Sequence, residues 1–210
     1  MDPQAFVDEL SNLVSAKLVT ITQPKTEGPD PEIATLLQIA LNNELEAAEE
    51  AALWIAGEAD LEVKLALMRQ CGDEAKHYRL IEKRLEELGT KPIPPTRSAM
   101  FGFLATLPTT AERLAAGPFA REALAQARNE VFASYCEAKG DQSTARLYRE
   151  IIQPDEAHHH ALGKKLLPRF VTGEADQARA RAAVERTLAI ADEAQQIAHL
   201  KRGLSRLPGC

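Results

Sequence analysis

Aromatic residues fill only 5% of this 210-residue chain, with a single tryptophan, and cysteine occurs three times. Cys71, Cys136 and Cys210 are odd in number and form no CxxC pair, so reduced thiols in a cytoplasmic protein are the simplest expectation. No apolar run reaches membrane-spanning length, and the opening MDPQAFVDEL lacks a basic region followed by an apolar core. Neither a secretory signal nor a transmembrane segment is expected. Positive charge is also short. A net charge of −6 and a pI near 5.5 weigh against nucleic acid as the main partner, while leaving room for a local basic patch. Convincing alternating runs of strand type are missing too.

What is present is alanine, leucine and glutamate in long 3.6-period stretches, the composition of an all-α protein. Phe6, Val7, Leu10, Leu13 and Val14 fit one side of a short helix, and Pro24 and the GPDP stretch at 28–31 then break the chain, giving an N-terminal arm over 1–30. A first long helix is expected from Asp30 as cap and Pro31 to about Gly57. A second runs from about Asp60 to Gly89, where Pro92, Pro94 and Pro95 forbid continuation. A crossover of about thirty residues carries the apolar MFGFLATL and a turn of helix after Thr109. A third helix is expected from about Pro118 to Lys139. A fourth follows the Gly140–Asp141 turn and reaches about Phe170. The pattern is two helical hairpins joined by one long connection, a four-helix bundle over 31–172. A fifth helix over about Glu174–Arg202, within 173–210, packs on it.

Two of these helices carry the same motif. Asp73-Glu74-Ala75-Lys76-His77 recurs 82 positions later as Asp155-Glu156-Ala157-His158-His159. Glutamate and histidine at i and i+3 share a helix face, about 5–6 Å apart at Cβ, and can reach one metal ion together. Glutamate fills 22 of 210 positions, so two such pairs among five histidines arise by accident at about the ten per cent level. The repeated Asp-Glu-Ala lead-in lowers those odds.

Helical phase separates the readings further. Glu44 falls within the stripe Ile33, Leu37, Ala40, Leu41, Ala48, Ala51, Ile55, whereas Glu46, Glu49 and Glu50 fall outside it. Glu74 and His77 lie among Val63, Leu67, Cys71, Ile81 and Leu88, and Glu156 and His159 among Ala145, Tyr148, Ile152, Leu166 and Phe170. In the third helix Phe119, Ala123 and Ala127 lead to Glu130 and Ser134. Glu122 is a rival, on a face made polar by Gln126 and Asn129. Equal distance from a hairpin turn places residues level. The midpoint of Glu44 and Glu74 is 59, that of Glu130 and Glu156 is 143, and Glu122 would give 139. Glu130 is favoured over Glu122. Four inward carboxylates would cost many kcal/mol unless compensated, and few basic residues share these stripes. A divalent metal pair supplies about four positive charges against them.

In this order and spacing, Glu44, Glu74-x-x-His77, Glu130 and Glu156-x-x-His159 resemble the ferritin-like diiron-carboxylate superfamily, over roughly residues 32–170. The aspartates before each motif glutamate, Asp73 and Asp155, resemble those that support the ligand histidines of soluble diiron monooxygenases. Ser134 stands where those enzymes carry a threonine beside the oxygen site. Asn43-Glu44 with Ala47-Ala48, and Glu174-Ala175-Asp176, look like the diiron hydroxylases of modified tRNA. Rubrerythrins are a further resemblance, without their paired CxxC module. The resemblance implies two iron ions, with manganese or a mixed pair as alternatives, O2 as co-substrate, an organic substrate and a separate electron-donor protein. The implied activity is hydroxylation or oxidation, with tRNA modification or ferroxidase and peroxide-scavenging chemistry as alternatives. A homodimer is compatible with the pattern.

For a tRNA surface the candidates are Arg179, Arg181, Arg186, Lys201 and Arg202, which read more simply as a solvated helix face. Pro154 should kink the fourth helix or widen a turn. His158 and His160 read as surface or supporting groups, Cys71 as a core thiol, and Trp54 and Tyr148 as packing residues that could relay electrons.

Overall fold

A computed structural model describes residues 1–23, 30–202 and 207–209, and of 200–202 only the backbone. Among the described residues the chain is all-helical, without strands, and no helix is long and apolar enough to cross a membrane. Cys210, Pro24, and Gly28 and Pro29 of the GPDP stretch lie outside the described residues.

Helix α1 spans Pro3–Ile21, with Asp2 accepting from the amides of Gln4 and Ala5, and buries Phe6, Val7, Leu10, Val14 and Ile21. Helix α2 spans Ile33–Ile55. It starts later than Asp30-Pro31 suggests because both are engaged elsewhere: Lys139 Nζ donates to Asp30 at 2.7 Å and Tyr135 Oη to the Pro31 carbonyl at 2.6 Å. Helix α3 spans Leu61–Glu87, capped by Asp60, whose carboxylate accepts from Glu62 and Val63. It ends where Gly89 takes φ +71° and the Thr90 amide bonds back to the Leu85 carbonyl, a Schellman closure. Helices α2 and α3 form the most extensive helix pair of the molecule.

The crossover is held to α2 by its polar side. Gln38 donates to the Lys91 carbonyl, Asn42 and Glu46 accept from the amides of Thr96 and Ser98, and Arg97 pairs with Glu49. Glu46 is therefore buried, not outside the packed surface. Short helices α4 (Ala99–Leu104) and α5 (Thr110–Leu114) follow. The third long helix does not begin at Pro118. It runs on from α5 through a π-helical segment, Ala115–Arg121, that contains Pro118, into α6, Glu122–Ala138. After the Gly140 turn (φ +84°), α7 (Gln142–Leu147) passes through a second π segment, Tyr148–Ile152, into α8, Gln153–Leu166. The last long helix, α9, covers Glu174–Arg202 and packs on α1, α5 and the first π segment.

Two apolar clusters fill the interior. One gathers Phe6, Leu10, Trp54, Leu67, Phe119, Leu124 and Leu188, and the other Leu37, Leu41, Ile81, Leu85, Phe132, Tyr148 and Ile152. α2, α3 and α6 each contribute to both, and the fourth long helix reaches both through Tyr148 and Ile152 of its π segment and Leu166 of α8. An inward carboxylate lies between the two sets in each case but α6, whose Glu122 adjoins the first set. Buried charge is thus concentrated at one level.

Candidate metal centre

Four helices converge on that level. Glu44 from α2, Glu74 and His77 from α3, Glu122 from α6, and Glu156 and His159 from α8 are all 3% exposed or less. They form two overlapping groups, Glu44–Glu74–His77–Glu156 and Glu74–Glu122–Glu156–His159, each with ligand atoms within 4.8 Å of one another. Glu74 and Glu156 belong to both. Nδ1 of His77 lies 3.1 Å from Glu74 and 3.4 Å from Glu44, and Nδ1 of His159 lies 3.4 Å from Glu74 and 3.6 Å from Glu156.

Glu130 and Ser134 are not part of this assembly. The Glu130 side chain is 55% exposed, accepts from Ser134 Oγ at 3.1 Å, and pairs with Arg149 on the outer surface. The favoured third-helix residue is therefore replaced by its rival, and Ser134 loses its place beside the centre. The physical reason lies in remote partners. The α6 face carrying Glu122 and Asn129 points inward because Asn129 Oδ1 accepts from the Gly209 amide at 2.8 Å and Arg128 donates to the Ala191 carbonyl at 2.9 Å. Those contacts come from chain more than sixty residues away, so the face reads as polar locally and buries nonetheless.

The motif aspartates act across the helix pair. Asp155 of α8 lies 3.1 Å from Nε2 of His77 on α3, and Asp73 of α3 lies 3.1 Å from Nε2 of His159 on α8. Lys76 donates to both aspartates, at 2.6 Å and 3.3 Å. With the ring proton on Nε2, each imidazole turns its Nδ1 lone pair toward the carboxylates, which is how a supporting carboxylate sets a ligand histidine. Sequence reading missed this crossing and Lys76. It also missed Gln70, one turn before Glu74, whose side-chain amide donates to Glu122 at 2.7 Å.

Beside the centre, Glu50 is buried with Arg121 at 2.7 Å and so lies within the packed interior, contrary to its place outside the α2 stripe. The first π segment runs directly into Glu122, and the second ends one turn before Glu156. Each widened turn stands beside a proline that lacks an amide donor, Pro118 or Pro154. The first segment frees the Phe119 carbonyl to face Nδ1 of His160 at 2.8 Å, and α8 approaches it so closely that a Cβ on Gly163 would meet Pro118 backbone at 2.6 Å.

Electrostatics record the crowding. Burial opposes charging His77 and His159, yet Glu44 and Glu74 beside the first, and Glu156 and Glu74 beside the second, raise them to about 12 and about 11. Burial lifts Glu44 to about 7, and lifts Glu122 and Glu156 as well, whereas the nearby imidazoles of His159 and His77 hold Glu74 low against the same penalty. Even so, Glu74 Oε1, Glu122 Oε2, Glu156 Oε2 and His159 Nδ1 are buried without a hydrogen-bond partner. Buried polar atoms are almost always satisfied, so four orphans facing one another require explanation. Metal ions held by the two groups would satisfy all four, and a carboxylate–imidazole donor set suits such ions.

The arginines proposed for a nucleic-acid surface are already matched: Arg179 with Asp176, Arg181 with Glu9 and Arg186 with Glu193. The side chains of Lys201 and Arg202 lie outside the described residues. No family model, no curated protein and no solved structure matches this chain.

Proposed function

We propose that α2, α3, α6 and α8 are the four helices of a ferritin-like bundle, with the long crossover between its second and third members and α9 as an added helix. In this reading the chain is a non-haem diiron oxidoreductase that uses O2 to hydroxylate or oxidise an organic substrate. The observation that carries it is the set of four orphaned buried ligand atoms shared between two overlapping carboxylate–histidine groups. Bound there as iron(II), the metal pair would supply the reducing equivalents that activate dioxygen. Glu44, Glu74, His77 and Glu156 would hold one ion, and Glu74, Glu122, Glu156 and His159 the other. Asp73, Asp155 and Lys76 fix the imidazoles, and Gln70 fixes Glu122. The surrounding apolar clusters exclude water. For a hydroxylation, one oxygen atom enters the substrate and the other leaves as water, with two electrons and two protons from a separate donor, since the chain has no CxxC centre of its own.

A second reading, ferroxidase or peroxide scavenging, draws support from space. The void bordered by His159, Gln70, Leu67 and Pro118 is about 10 Å³, too small for an organic molecule and marginal for one water. Anaerobic titration with iron(II), followed by a pulse of O2, separates the cases. Two irons per chain and a transient visible absorption support the diiron reading. Continued turnover of iron(II) or peroxide favours the second, and no iron uptake ends both.

A further inference from the structure

The two sides of the carboxylate cluster are built differently. Toward α3 and α8 it is walled by both histidines and their crossed Asp73, Asp155 and Lys76 bonds. Toward α2 and α6 it carries only Glu44 and Glu122, and neither histidine. Helices α2 and α6 make little direct contact there. Among the described residues Arg121 reaches across the gap to Glu50 and to the Asn43 carbonyl, and a short segment of chain, Leu207–Gly209, bridges it as well.

That segment is seated by its backbone. Asn43 Nδ2, next in sequence to Glu44, donates to the Pro208 carbonyl at 3.1 Å, and Asn129 Oδ1, two turns beyond Glu122, accepts from the Gly209 amide at 2.8 Å. Pro208 and Gly209 are buried, and Leu207 rests on the apolar cluster of Leu37, Leu41 and Phe132. Gly209 has φ +70°, and an added Cβ would stand 3.2 Å from Asn43 Nδ2, so the slot is shaped to this glycine. Among the described residues the anchorage is nevertheless short: two hydrogen bonds, the buried Pro208 and Gly209, and the half-buried Leu207, with no helix of its own. A contact of that size opens at far lower cost than the helices around it.

The geometry points to Leu207–Gly209 as a displaceable plug in the α2/α6 seam, the route by which molecules larger than O2 reach the carboxylate centre. The inference rests on the metal-centre reading and adds to it the entrance and what fills it. A ligand that replaces the plug must offer an acceptor to Asn43 and a donor to Asn129 beside an apolar body, as an amide-bearing compound does.

The test uses cobalt(II) as the metal and EDTA as the competing chelator, with hydrogen exchange as a readout that needs neither metal nor turnover. In the metal-free wild type, the Gly209 amide should exchange at least tenfold faster than the amides of α2 and α6. Exchange of Gly209 only with global unfolding overturns the plug. Leu207→Asp with Gly209→Val, and separately Asn129→Ala, should release the segment to free-chain exchange rates. Both variants should retain two cobalt ions per chain and lose them to EDTA at least tenfold faster. Segment release with unchanged cobalt loss overturns the entrance while leaving the metal centre standing. Failure of the wild type itself to take up cobalt sinks the metal reading beneath it.

Discussion

At the scale of single residues, the centre separates glutamates that look alike in sequence. Glu122 and Glu130 both lie on α6, but one is buried against Gln70 and the other pairs with Arg149 in water. Glu122→Ala should reduce metal content from two ions per chain to one, and Glu130→Ala should leave two, as measured by elemental analysis of the reloaded proteins. Asp155→Ala removes the partner of His77 Nε2 and should weaken metal binding by about 10–100-fold. Proton binding gives a further expectation. In the metal-free fold, His77 and His159 are raised from 6.5 to about 12 and about 11, and Glu44 from 4.5 to about 7. Raised values mean that the folded state binds more protons than the unfolded chain. Metal-free stability should therefore fall as pH rises from about 5, through neutrality and toward 11; the depressed Glu74 adds stability with rising pH only below its ordinary 4.5 and leaves that slope unchanged. Metal binding displaces those protons, so affinity should rise over the same range. Melting curves at pH 6, 7.5 and 9 with and without metal check both slopes. The repeated motif made Glu74, His77, Glu156 and His159 legible, since a periodic face and a copied tripeptide are local signals. Glu122 was obscured because Asn129, on the same face, accepts at Oδ1 from the Gly209 amide, eighty residues away.

At the scale of helices, most boundaries follow from caps the sequence displays: Asp60, Gly89, Asp141 and Gly140 stop or start helices as their chemistry requires. The departure is the third long helix, which starts at Thr110 and carries Pro118 inside a widened turn. Proline reads as a start signal, and only tertiary packing absorbs it within a helix. That packing has a specific requirement at Gly163, where an added Cβ would stand 2.6 Å from the Pro118 carbonyl carbon and 2.7 Å from the Phe119 amide nitrogen. Backbone cannot step aside as a side chain can. Gly163→Ala should cost about 1–3 kcal/mol in urea unfolding. Gly72→Ala, in α3 with open space around it, should instead stabilise by about 0.5–1 kcal/mol.

At the scale of the whole molecule, a band of buried charge divides two apolar clusters, and helices from separate parts of the sequence close around it. Composition and periodicity reach the helical class. The extended crossover clipped along α2 and the seating of Leu207–Gly209 depend on single long-range hydrogen bonds that no local pattern announces. The central claim is that the band exists to hold two cations. Crystals of the protein grown with iron(II) and measured at the iron absorption edge test it most directly. The account predicts two anomalous peaks per chain, both between Glu74 and Glu156, with Glu44 and His77 flanking one and Glu122 and His159 the other. Peaks confined to surface carboxylates, or none at that level of the helices, would contradict it.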